Sequence, residues 1–535
     1  MLSFQFKRNH HFFFLFAIFF LIIFYLHYYL FSGNPNFICN DSFQYLSIAK
    51  EIYQKKQLYN ITNFALDLYY DELAMFNYDF TNIKPYHFPS YPIFLSFFYY
   101  IYDNDNFVIY ASQYLSFLLY SCFIFLILKN YLNSKKTVFL LILLFFTNAF
   151  NLYISDSGKE IICSSLFTMV IYLALYSPNK NRIYIKLITS LALVFLTLTR
   201  NYHLVFAFFL VIYYCLPSSL KDSVEDYKLS QKITYTILIF LVPLFFYVYF
   251  YYFQNYHLFI FDNRTDIYGG RTISDAVYRI FVNGILAFLT YFASIFEIIN
   301  NQSFPLNFSI IFNLFQTQAF SVVGIVFFYL NYLKNFRKNP KITKLFIINL
   351  FFLALFLAVT VRFSFIGFRM MLAYIPFVYL YFYQSFFEKN QSDFKNKFIK
   401  YMLVFFLIFN FISFIIITRD FKIINKETYK LNLYTLDFVK RFKPKFIVVD
   451  SHFYLPHSMP IFNLFPKETY FFNFWRDKNL CNDIENYQNH NINFDMLIIK
   501  KHLNEFDCNF LNDNFQLIDF SQYGYIYINK SKIIK

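Results

Sequence analysis

Apolar residues along this chain fall into long unbroken runs, not into the single-face periodicity of a water-soluble helix. The first run extends from about Phe12 to Phe31. A helix needs roughly 20 apolar residues to cross the hydrocarbon core of a bilayer, so this run predicts a membrane crossing. No small-residue cleavage pattern follows it, which favours an uncleaved first helix over a signal peptide. Further runs that predict crossings lie near 107–128, 137–154, 160–177, 185–199, 202–216, 233–253, 309–333, 343–361, 370–387 and 399–418. The expected fold is mainly α, a polytopic transmembrane helical bundle.

Polar positions between the runs orient the bundle. Lys7 and Arg8 precede the first run and place the N-terminus in the cytoplasm. Basic clusters then occupy alternate loops: Lys129 with Lys135 and Lys136, Lys180 with Arg182 and Lys186, Lys221 with Lys228 and Lys232, the dense group from Lys334 to Lys344, and Lys389 to Lys400. All of them face the cytoplasm together with about eleven crossings, N-terminus in and C-terminus out. The run 276–299 tempts a further crossing, but that would turn the Lys334–Lys344 cluster outward. It is therefore read as an interfacial or re-entrant helix on the outer side.

Two external regions are large. The first loop, 32–106, holds an amphipathic stretch from Ser42 to Lys56 and a Pro-rich return at Pro85, Pro89 and Pro92. The tail after Asp420 shows a helix-like stretch near 428–441 and strand-like runs at Phe446–Val449, Met496–Ile499, Phe515–Ile518 and Tyr525–Ile528, which predict a small α/β domain. The expected organisation is thus 1–419 as the membrane module and 420–535 as an external soluble domain.

Composition sharpens this reading. Hydrophobic residues make up 58% of the 535 and charged residues only 15%, well under the ~25% of soluble domains, so an ordinary cytosolic globule is excluded. The net charge of +15 would suggest nucleic acid in a soluble protein. Here the positives sit in short loops between crossings and report topology, so no nucleic-acid partner is expected. Aromatic residues reach 25%, but the joint abundance of Phe, Tyr, Asn, Lys and Ile reflects an AT-rich coding bias and marks no aromatic surface by itself. Cys481 and Cys508 share the tail and could pair there if it lies in an oxidising space.

Several polar residues at the run ends could do chemistry, and each also has a plain structural reading. Asp41 opens the amphipathic stretch, where an acidic N-cap is ordinary; an external carboxylate can also take a proton from a hydroxyl. Asp41, Tyr45 and Ala49 share one helical face. Lys84 and His87 stand beside the return His87-Phe88-Pro89-Ser90-Tyr91-Pro92, which proline alone would stiffen. Glu160 opens a crossing, where a carboxylate also favours the helix dipole. Arg200 sits where two runs meet with almost no loop and could simply snorkel. Arg264 and Arg271 flank Gly269-Gly270 in an external loop that could approach phosphate or form a plain turn. Arg369 opens a late run, and ionisable groups at membrane depth are costly enough to be functional candidates.

The order of these residues resembles the GT-C superfamily of membrane glycosyltransferases, particularly the branch similar to protein O-mannosyltransferases and the lipid A aminoarabinose transferase. The matching positions are Asp41, Tyr45 and Ala49, then His87, Pro89, Tyr91 and Pro92, then Glu160, Thr199-Arg200, and Arg369 with Pro376. One departure is that Asn40 and Ser42 flank a single Asp41 where many relatives carry an adjacent acidic pair. The resemblance implies transfer of a sugar from a polyprenyl-phosphate donor to an acceptor hydroxyl on the external face, with inversion. It implies Asp41 as the base. Tyr45, Lys84, His87, Glu160, Arg200, Arg264, Arg271 and Arg369 are the expected substrate-binding residues. The acceptor is a protein, lipid or glycan, and membrane lipids are further partners. No cofactor is certain; a divalent metal is possible but unsupported by any ligand spacing. The competing readings are a transporter or lipid flippase and a multi-spanning polysaccharide polymerase.

Overall fold

The computed structural model describes residues 21, 41–55, 65–67, 90–145, 158–217, 228–253, 340–362, 372–377, 380, 436–450, 470–474, 480–489, 493–499, 509–521 and 524–533. The crossings expected at 12–31, 309–333 and 399–418, and the interfacial helix at 276–299, lie outside these residues apart from Leu21.

The chain is mainly helical. Helices α1 (Asp41–Lys55) and α2 (Ser90–Ile101) lie in the stretch 32–106. The bundle follows with α3 (Asp105–Leu128), α4 (Ser134–Phe145), α5 (Glu160–Ile171), α6 (Ile183–Thr199), α7 (His203–Cys215), α8 (Leu229–Thr236), α9 (Val242–Val248) and α10 (Pro340–Arg362). The side chain of Asn104 caps α3 by accepting from the Phe107 backbone N–H at 3.0 Å. Helix α5 runs on through a π-helical turn at Tyr172–Tyr176. A second π-helical segment, Ile237–Leu241, joins α8 to α9 just before Pro243. Proline has no N–H and its ring crowds the carbonyl four residues back, so the ladder widens there instead of continuing as α.

Phe107–Leu128 and Leu229–Tyr251 are long and apolar enough to cross a membrane; Glu160–Tyr176, Ile183–Thr199, His203–Cys215 and Thr343–Leu355 are shorter apolar helices. One face of these helices is buried in a common core that includes Phe117, Phe167, Leu193, Leu210 and Phe351. The other face is apolar and exposed. Ile183, Leu187 and Leu191 form such a stripe on α6, and Ile233, Ile237, Leu241, Phe245 and Tyr249 form another at four-residue spacing. Water would disfavour so long an exposed apolar stripe, and lipid favours it.

Five strands of the tail and one from residues 65–67 build a six-stranded sheet: β1 (Ala65–Asp67), β2 (Phe446–Asp450), β3 (Tyr470–Phe474), β4 (Met496–Ile499), β5 (Phe515–Ser521) and β6 (Gly524–Asn529), in the order β1-β3-β2-β4-β6-β5. The first four in that order are parallel, and β6 and β5 are antiparallel additions. Strand β1 comes from the stretch 32–106 and pairs Ala65 with Phe471. Alternate residues of the central strands serve two cores. Val448, Leu497, Ile499 and Tyr527 pack with Leu480 and Ile484 of α11 (Leu480–Asn489). Ile447, Met496, Ile498 and Ile526 face the opposite way, into one cluster with Tyr45, Leu46 and Ala49 of α1 and Tyr91, Leu95 and Tyr99 of α2. Both faces are therefore covered, as parallel strands require. Cys481 in α11 is disulfide-bonded, while Cys508 lies outside the described residues.

Candidate active site

The site forms where α1, α2, α5, α6 and α7 meet. The local sequence puts polar groups there because each lies at a helix end, where backbone groups lack intrahelical partners and a charge is cheapest to hold. Glu160 is the first residue of α5, Thr199 the last of α6, Arg200 its C-cap and His203 the first of α7.

Arg200 does not snorkel. Its Nη2 donates to Glu160 Oε1 at 2.5 Å, and the two side chains are only 12% and 3% exposed. A buried guanidinium is tolerated when its fork meets a carboxylate. Next to this pair, Lys159 is buried with its Nζ 5.2 Å from the centre of the Tyr45 ring. Tyr45 in turn packs edge-on against Tyr91, centroids 4.9 Å apart. The Tyr91 hydroxyl accepts from Gln113 Nε2 at 2.9 Å, and the same nitrogen donates to the Gly158 carbonyl at 2.8 Å. Ser90 and Thr199 share a hydroxyl–hydroxyl hydrogen bond of 2.9 Å. These contacts form one connected set, so the Tyr-Pro return of α2, the face of α1, the start of α5 and the end of α6 are held in register.

A small cavity opens on the set, lined by Glu160, Ser164, Arg200, Tyr202, His203 and Ala373. Ala373 belongs to the segment that follows Arg369, so the late run returns to this place.

Of the residues singled out from sequence, Tyr45, Glu160 and Arg200 are gathered here. Asp41 opens α1, one helical turn before Tyr45; its side chain lies outside the described residues. Lys84, His87, Arg264, Arg271 and Arg369 also lie outside them. Lys159, Gln113 and His203 were not singled out. The signal for Lys159 was its place beside Glu160 at a helix start, and for His203 a histidine opening an apolar run one turn after Arg200. Among the described residues no group of three or more His, Cys, Asp or Glu side chains gathers as for a metal ion.

The family model for dolichyl-phosphate-mannose-protein mannosyltransferases matches residues 84–251. That stretch holds the Tyr-Pro return, Glu160 and Thr199-Arg200. No curated protein matches the chain by sequence. Among solved structures, the fold is similar to ArnT from Cupriavidus metallidurans bound to undecaprenyl phosphate, with TM-score 0.56 and 10% identity, over 96% of this chain and 97% of that one. It is also similar to the oligosaccharyltransferase of Archaeoglobus fulgidus tethered to an acceptor peptide, with TM-score 0.51 and 12% identity, over 98% of this chain and 74% of that one. Over residues 84–251 the chain is similar to that mannosyltransferase family, and over nearly its whole length it shares the fold of these two solved structures.

Proposed function

We propose that this protein transfers a hexosyl- or pentosyl-type sugar from a polyprenyl-phosphate-linked donor to an acceptor hydroxyl on the external face of the membrane, with inversion. The observation that carries the reading is the convergence of Tyr45, Tyr91, Glu160, Thr199 and Arg200 on one end of the helical bundle, with the tail sheet docked beside it. The ArnT structure of the same fold holds undecaprenyl phosphate, which supports a lipid-phosphate donor. The oligosaccharyltransferase structure holds an acceptor peptide, which supports a protein among the acceptors.

In this reading the acceptor oxygen attacks the anomeric carbon. The new bond to that oxygen forms as the bond from carbon to phosphate oxygen breaks. The hydroxyl proton passes to the Asp41 carboxylate, and the lipid phosphate leaves with the bonding pair. General base assistance contributes roughly 10²–10⁴-fold. Cations fixed in a water-poor site stabilise the departing phosphate. Arg200 is held in place by Glu160, and Lys84, Arg264, Arg271 and Arg369 complete the set. Orientation follows from about eleven crossings with the N-terminus in and the tail outside, so that 1–419 forms the membrane module and 420–535 the external domain.

The test is incubation of membranes containing the chain with labelled polyprenyl-phosphate sugars, followed by identification of the labelled product. The expected result is a labelled acceptor and released polyprenyl phosphate. No release from any lipid-phosphate sugar would overturn the reading.

A further inference from the structure

Lys186 is a cation drawn into a helix seam at the end of the bundle away from the Arg200–Glu160 pair. The helical stretch 160–176 separates the two ends: Glu160 opens it, and Tyr176 closes it roughly 24 Å farther on, at 1.5 Å per residue. Helix α6 starts at the far end, and Lys186 in its first turn is only 6% exposed. Its Nζ sits 4.2 Å from the centre of the Tyr235 ring of α8, so it bridges the two helices. The Tyr235 ring stacks on Tyr214 at 3.7 Å, and the Tyr235 hydroxyl donates to the Lys180 carbonyl at 3.1 Å. The ring under the ammonium is thus fixed on its face and at its tip.

An ammonium carries three donors, and one aromatic ring engages only one side of it. Among the described residues no hydrogen-bond acceptor meets Nζ, yet the nitrogen is not sealed and keeps an accessible edge. The described residues 176–190 and 228–241 include no Asp or Glu, while Lys180, Arg182, Lys228 and Lys232 add positive charge there. Lys344, also 6% exposed, stands 5.1 Å from the centre of the Tyr176 ring at the same end. Membrane orientation accounts for exposed cations such as Arg182 and Lys228. It does not account for Lys186, where a methionine would fill the seam without a charge that needs a counter-charge.

The surface beside this charge is apolar. Ile183, Leu187 and Leu191 of α6 stay exposed, as do Ile233 of α8 and Ile237 and Leu241 of the π-helical segment that continues it. A cation heading two apolar stripes matches a phospholipid, with phosphate oxygens for Nζ and acyl chains for the stripes. A free anion would meet the charge alone. A zwitterionic lipid brings a cation of its own into a region that is already positive. We propose that Lys186 and the seam between α6 and α8 bind the headgroup of an anionic phospholipid, whose acyl chains lie along 183–191 and 233–241. The site is separate from the Arg200–Glu160 end and does not depend on the glycosyl-transfer reading.

Native mass spectrometry of the full chain released from detergent reads the binding. The probes are phosphatidylglycerol and phosphatidylcholine with the same acyl chains, and inorganic phosphate alone. The wild type is expected to bind its first phosphatidylglycerol about fivefold or more tightly than phosphatidylcholine. Lys186→Met, which keeps the length and apolar packing of the side chain, is expected to lose that preference, and Lys186→Arg to keep it. Lys136→Gln, which removes a charge from another loop at the same end, is expected to keep it too. Equal binding of the two lipids by the wild type would overturn the proposal without recourse to any variant. A preference retained in Lys186→Met would overturn it as well. So would a preference lost equally in Lys136→Gln, which would mark a diffuse attraction to the whole positive end. Inorganic phosphate bound as tightly as phosphatidylglycerol would overturn the assignment to a lipid. None of these measurements involves sugar transfer, so this site and the proposed reaction stand or fall separately.

Discussion

Arg200 and Glu160 lie forty positions apart in sequence and meet at 2.5 Å across two helices. Removing one partner of a buried ion pair is far more damaging than exchanging both, typically by about 3–5 kcal/mol. Arg200→Leu is therefore expected to lower the melting temperature of the detergent-solubilised protein and to abolish transfer. Arg200→Lys keeps the charge but not the planar fork, so it should retain most of the stability and lose most of the activity. A melting temperature unaffected by Arg200→Leu would show that the pair does not hold α5 to the end of α6. Asp41 calls for a different pattern. As the base, its loss should reduce turnover by about 10²–10⁴-fold without affecting membrane abundance. Near-normal transfer by Asp41→Asn, measured with labelled donor, would remove it from that role.

The contacts that matter at the level of elements are those between α1, α2 and the tail sheet. Ile498 is buried on the sheet face that meets α1 and α2, in one cluster with Tyr45 and Tyr91. Truncating such a side chain costs about 2–5 kcal/mol. Ile498→Ala should thus loosen the docked tail, seen as faster proteolysis of the tail in intact membranes, and an unchanged cleavage rate would argue against docking. Helices α1, α2 and α3 are also tied by polar contacts: Asp105 accepts from the Tyr99 hydroxyl at 2.7 Å and from Lys50 Nζ at 3.5 Å. Burial, and then the Asp105 carboxylate, hold the Tyr99 phenol well above its ordinary value. A raised acid contributes its full stabilisation below the unfolded value near pH 10 and loses it as pH climbs through the folded value. Helices α1 and α2 should accordingly loosen above about pH 10, and Tyr99→Phe should flatten that alkaline dependence in a melting series against pH.

For the molecule as a whole, the exposed apolar stripes on α6 and along 233–249 set the solvent as lipid. The positive loops then set direction. A reporter fused at the C-terminus should be accessible from outside the cell, and one inserted near Lys338 should not. Inverted accessibility would overturn the crossing count. The sheet also ties two distant stretches of the chain together. Residues 65–67 pair with β3, so the stretch 32–106 and the tail share one hydrogen-bonded ladder.

By itself the amino-acid sequence marked the chain as a membrane protein and, among the described residues, where its apolar helices run, because lipid imposes a length and composition on every crossing. Glu160 opens α5 at the expected point, and Met496–Ile499 is a strand with the expected ends. The short motifs also pointed to the GT-C fold, and Glu160 and Thr199-Arg200 sit at helix ends, where a polar residue stands out against its neighbours. Only the tertiary structure decided which of those ends meet. The Tyr470–Phe474 strand and the pairing of 65–67 escaped notice because short aromatic runs in so Phe- and Tyr-rich a chain look alike in every element. The Glu160–Arg200 pair and the Ser90–Thr199 hydrogen bond depend on contacts between residues far apart in the chain. Residue type and local spacing set a helix and its ends, but a buried polar group's partner is chosen by packing among helices, which no local pattern encodes.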